Sequence, residues 1–266
     1  MSASLNTTYV IILSMTNIKQ LLILPVLVTL ISVLAFSAQD AAALTSTVSD
    51  EISCVAPAVG GTWNSVTSTC TVATLVIGPT DKLVIASNVN FDIGTVTSSG
   101  VIKNDGTINI ASGGVITTSG KFVNNGVIDS VSGTITNSGP FKNFGELTSS
   151  GTITNGPTGV ITNNGDLTST GTITSSGAIT VTKDGVLKSS GVFTNTLNLV
   201  NKGTIMTYGT FTNSGPVTNN GNMLNQGLFS NSNTITNDGA IFNLCGGSIT
   251  NSGTIAIHTV IELCVA

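Results

Sequence analysis

The chain of 266 residues is long enough for one elongated or two compact domains, yet only 8% of it is charged: 8 lysines with no arginine, 12 acidic residues and a single histidine, for a net charge of −4. That composition speaks against nucleic-acid binding, which needs a basic face for phosphates, and against most hydrolases and transferases, which need histidine, arginine or clustered carboxylates. With 40% hydrophobic residues and a mean hydropathy of +0.42, the chain is not a disordered one.

The N-terminus reads as an export leader over residues 1–43. Lys19 supplies the positive segment, Leu21 to Phe36 is an uncharged apolar run, and Ala41-Ala42-Ala43 offers a small-x-small cleavage site before Leu44. Met15 is an alternative start that would bring Lys19 nearer the beginning. An uncleaved anchor is the competing reading, but the run is broken by Pro25 and falls short of the roughly 20 residues a spanning helix wants. Export is therefore expected, with no membrane span in the mature chain.

Residues 44–93 are expected to form an N-terminal cap. Four cysteines in an exported chain suggest two disulfides. Cys54 and Cys70 precede the repetitive region and Cys245 and Cys264 follow it, so local pairing would staple each end, although three connectivities are open. Each local loop is of a size worth about 3 kcal/mol in the chain-entropy model. A zinc site lacks both CxxC spacing and ligands, since His258 is the one histidine. Trp63 is expected to plug the first coil, with stacking on a sugar as its alternative role.

From Gly94 to His258 the chain divides into hexads reading Gly-x-apolar-x-Asn/Ser-x, such as GTITNS from Gly133 and GTFTNS from Gly209. Glycine opens all but the units at Leu197 and Asn233. The third position is always apolar, and the fifth is mostly asparagine, with serine or threonine next. A period of six with alternation inside it is not helical. It predicts a short strand and a corner, with glycine, aliphatic and asparagine pointing inward. Glycine is expected at the corner because it tolerates positive φ and close approach. A buried asparagine amide needs partners, so these side chains should bond to the next coil as a ladder. One unit cannot bury its own apolar residue, and stacking must supply the core.

Charge indicates how many units make a coil. Sorted by threes, the units starting at Gly94, Gly114, Gly133, Gly151, Gly171, Gly191, Gly209, Gly227 and Gly247 contain no charged residue, whereas sorting by twos separates nothing. The expected fold is therefore all-β: a single-stranded, three-sided β-solenoid of about nine coils, roughly 40 Å long at ~4.8 Å per strand, with its handedness open. Residues 259–266 should supply a closing strand, and His258 a turn.

The uncharged class also holds most of the Thr-x-Thr units. Thr95, Thr97, Thr117, Thr134, Thr136, Thr152, Thr154, Thr172, Thr174, Thr194, Thr210 and Thr212 are expected to stack outward on one face as a candidate binding surface. That array resembles the ice-binding face of β-solenoid antifreeze proteins, which implies ice binding as an alternative function. Threonine is also simply a good strand former.

The strict hexads are similar to those of left-handed β-helix acyltransferases, whose catalytic histidine has no counterpart here beyond His258 in the last unit. The Gly-Thr-Ile-Thr-Asn repetition, the leader and the segment CVAPAVGGTWNSVTSTC from Cys54 resemble repetitive surface and adhesin-type solenoids of bacteria and archaea, over nearly the whole mature chain. That resemblance implies a secreted or cell-surface structural protein that binds a surface polysaccharide, a protein or copies of itself, without cofactor or metal. A polysaccharide-degrading β-helix enzyme is the remaining alternative: Asp129, Glu146 and Asp166 fall in one outward class, but without basic or aromatic partners beside them.

Overall fold

The computed structural model describes residues 43–263, so the leader reading up to residue 42 and the proposed role of Cys264 fall outside the described residues. The described chain is all-β, with stacked parallel strands forming a β-solenoid of about ten turns.

Three stacks make up the prism. The first face is an 11-stranded parallel sheet running from Thr45–Val48 through Lys82–Ile85 and Val101–Asn104 to Thr254–Ile257. The second and third faces share a 19-stranded sheet, because Thr69–Ile77, Asn90–Ser98 and Thr107–Thr118 each cross from one face to the other. Further along, the chain breaks at that corner in every coil, as between Val127–Ser130 and Thr134–Asn137. Successive coils align hexad on hexad: Ile135 pairs with Ile153, and Ile153 with Ile173. The parallel stack starts at Thr45, well before Gly94, which raises the coil count above the nine expected from the hexads.

The hexad's third position forms the core. Val96, Ile116, Ile135, Ile153, Ile173, Phe193, Phe211 and Phe229 follow one another behind the third face, none more than 2% exposed. Burying each such side chain contributes about 1.5–3 kcal/mol. Phe193, Phe211 and Phe229 stack with centroids 4.6 and 4.7 Å apart, close to the rise of one coil.

Fifth-position asparagines are buried throughout except Asn251 on the last third-face strand. Their amides do form ladders: Asn104 donates to Asn124, Asn124 to Asn143 and Asn143 to Asn163 at 2.7–2.8 Å behind the first face. Val181 interrupts that ladder, and it resumes from Asn201 to Asn219 and Asn237.

The repeat glycines serve close approach rather than positive φ, since the positive-φ glycines among the described residues are Gly60, Gly113 and Gly246. A β-carbon at Gly171 would fall well inside contact distance of the Gly151 carbonyl oxygen one coil earlier. Corners stacked at strand spacing leave no room for a side chain there.

At the N-terminal end, helix α1 (Glu51–Val55) starts on Asp50, whose carboxylate accepts from the Ser53 amide at 2.9 Å in a capping box. Cys54 and Cys70, both fully buried, form a disulfide across 5.7 Å between Cα atoms. Trp63 lies opposite Cys70 in the antiparallel pair Thr62–Asn64 with Thr69–Thr71 and packs against the core. At the other end Val260–Glu262 pairs with Ile241–Asn243, and the Glu262 carboxylate accepts from the Asn243 amide at 2.7 Å. His258 stands exposed just after Thr254–Ile257, its carbonyl accepting from the Asn237 amide.

Candidate binding faces

Residues two and four of each hexad point outward, so each face carries two columns of side chains about 4.8 Å apart. On the third face one column is threonine for seven coils: Thr97, Thr117, Thr136, Thr154, Thr174, Thr194 and Thr212 are consecutive register partners. The column beside it reads Thr95, Val115, Thr134, Thr152, Thr172, Val192 and Thr210. All twelve threonines singled out from the sequence thus share one face, in two adjacent columns, and no strand residue lying on that face is charged. Parallel pairing in strict register holds the hydroxyls and methyls at a constant interval. Val115 and Val192 are the interruptions.

The acidic residues weighed as a catalytic line occupy the second face, but not one column. Glu146 pairs with Asp166, whereas Asp129 lies opposite Thr148, because it stands two residues later in its strand. Besides the Glu146–Asp166 pair itself, their partners across the ladder are Asn109, Val127, Thr148 and Val186, which supply no further acid or base.

A groove of about 740 Å³ opens where the second face turns into the third, floored by Val72, Ile93 and Ile110 and edged by Asp92, Asn109 and Asp129. Asn109 donates to Asp92 at 2.6 Å. The extra residues at Ala111–Gly113, where Gly113 takes a φ of 81°, and the register shift after Ile93 open this corner. The hexads do not reveal it, although the lengthened unit at Gly106 marks the place.

Two carboxylates have lowered pKa values. The Lys103 ammonium, with the Asn125 amide, holds Asp105 below the usual carboxylate range, and the Ser53 hydroxyl and amide do the same for exposed Asp50. Among the described residues no cluster of histidine, cysteine and acidic side chains is arranged to hold a metal ion, and no helix is long and apolar enough to cross a membrane.

No curated protein and no solved structure matches the chain. The haemagglutinin repeat family matches it over residues 73–156, 141–215 and 195–258, which together span the solenoid from the third face of its first coil to His258. Proteins with this repeat are adhesin-like, typically non-enzymatic and typically secreted or displayed on the cell surface. On a match covering more than half of its length, and with the stacked parallel coils described above, the chain belongs to the haemagglutinin repeat family.

Proposed function

We propose that the protein is an exported adhesive rod whose third face is its binding surface. The observation that carries this reading is the unbroken column from Thr97 to Thr212 on a face without charge. Each threonine offers one hydroxyl that both donates and accepts, beside one methyl group. A single such contact is weak, but a row held at fixed spacing on a rigid sheet loses little conformational freedom on binding and sums like a multivalent ligand. A neutral, repetitive polymer surface suits it best: a surface polysaccharide rather than a charged protein patch.

Thr134/Thr136, Thr152/Thr154 and Thr172/Thr174, paired in two columns on three successive coils, also favour a second reading, ice binding. One set of variants addresses both. Thr136→Lys, Thr154→Lys and Thr174→Lys together should weaken retention on insoluble neutral polysaccharides, cellulose and chitin among them, at least tenfold. Thr162→Lys with Thr180→Lys on the first face should not. Equal retention of both variants overturns the reading, and thermal hysteresis of the unmodified protein without polysaccharide retention moves it to ice.

A further inference from the structure

The first and second faces carry opposite charge at the same height of the prism. On the first face Lys82, Lys103, Lys121 and Lys142 stand on four strands that pair in that order, Lys82–Ile85, Val101–Asn104, Lys121–Asn124 and Pro140–Asn143, and none of these strands holds an acid. On the second face Asp92, Asp129, Glu146 and Asp166 stand on strands that hold no lysine. The chain passes from first to second face once per coil, so Lys82 shares a coil with Asp92, Lys121 with Asp129, and Lys142 with Glu146. Inside one molecule these partners look in different directions. The one ion pair among the described residues is Lys103 with Asp105 at the corner, and the Asp81 carboxylate, at the upper rim of the lysine row, accepts from the Leu44 and Gly78 amides instead.

We propose that the first face of one copy docks on the second face of another, with the two axes parallel and the coils level. Both surfaces are parallel sheets with the same rise per strand, so aligning one of these three lysine–carboxylate pairs aligns the other two. Val84, Val101 and Val123 on the lysine face and Val127 on the acidic face supply apolar contact between the charged rows. Each exposed pair contributes little by itself, but several in register, closing over valines, give orientation and steering as well as affinity. Such a contact is heterologous, joining different surfaces of identical copies, and it closes into a ring or runs on as an open array. Every copy points its N-terminus the same way and keeps its third face uncovered. The proposal does not depend on what that third face binds.

Charge reversal tests it on the purified full-length protein. At about 0.02 M salt, where exposed charges are weakly screened, sedimentation velocity should show assemblies that dissociate at about 0.5 M. K121E with K142E cancels the net positive charge of the lysine row and sets like charge opposite Asp129 and Glu146, and Asp129→Lys with Glu146→Lys does the same to the acidic row opposite Lys121 and Lys142. Each variant alone should associate at least tenfold more weakly than the unmodified chain, and an equimolar mixture of the two should assemble again. A chain that stays monomeric at low salt overturns the proposal, whether or not its lysine row binds an anionic polymer. So does an assembly indifferent to salt, or one abolished by the third-face lysine variants and not by charge reversal. The salt dependence of the unmodified protein is decisive even if a variant fails to fold.

Discussion

The side-chain amide of Asn124 donates to the side-chain oxygen of Asn143 at 2.7 Å and, with its other hydrogen, to the backbone carbonyl of Glu146 at 2.9 Å. A carbonyl only accepts, so this second bond fixes which way the amide points, and the ladder runs in one direction along the rod. Asn124 is meanwhile the acceptor for Asn104 at 2.8 Å.

Removing one step of this ladder takes a partner from each neighbour. Asn124→Ala leaves the Asn143 oxygen without its donor and the Asn104 amide with only the Gly106 and Val127 carbonyls, in a fully buried column, and should cost about 3 kcal/mol. Asn124→Asp should cost more, since a buried carboxylate cannot donate. Behind the second face the serine column is different: the hydroxyls of Ser130, Ser149, Ser169 and Ser189 are buried without a hydrogen-bond partner. Ser169→Ala should therefore shift stability by no more than about 0.5 kcal/mol in either direction. Denaturant midpoints of the three variants check both halves of this contrast.

Glycine substitutions should separate by mechanism. Gly171→Ala drives a β-carbon into the backbone of the coil before it, and the variant should lose several kcal/mol or fail to fold. At Gly113 a β-carbon meets open space, and only its φ of 81° opposes alanine, at about 1–2 kcal/mol. Thermal unfolding of the pair measures the difference.

Acid should weaken the rod in a predictable window. The folded-state pKa of Asp105 lies below its unfolded value, so its ion pair stabilises the fold above the unfolded value of about 4 and loses that contribution as pH falls through the folded one. Asp105→Asn should make the loss of stability on acidification shallower, with the two proteins converging at the acid end. Unfolding midpoints measured from neutral pH downward test this.

Much of this architecture is legible in the hexads. An invariant apolar third residue fixes what is buried, an asparagine two places on demands a ladder, and the absence of charge in every third unit marks a face. Other features are silent for physical reasons. Thr45–Val48 and Lys82–Ile85 belong to the stack, but they lack the glycine and asparagine that mark the register elsewhere. Glycine's two uses, positive φ and close approach, look alike in a sequence, and stacking distance decides between them at Gly171. The staggering of Asp129 from Glu146 depends on which of two outward positions each residue takes. The matched height of the lysine and carboxylate rows emerges only when the faces are assigned.

The central claim is that threonines some twenty residues apart in the chain form one straight column, and distances between spin labels test it most directly. Labels on Thr97 with Thr174, and on Thr97 with Thr212, span four and six coils. The account predicts separations near ~19 Å and ~29 Å, rising in step with the coils at roughly 4.8 Å per strand. Separations that do not grow with the number of intervening coils would contradict it.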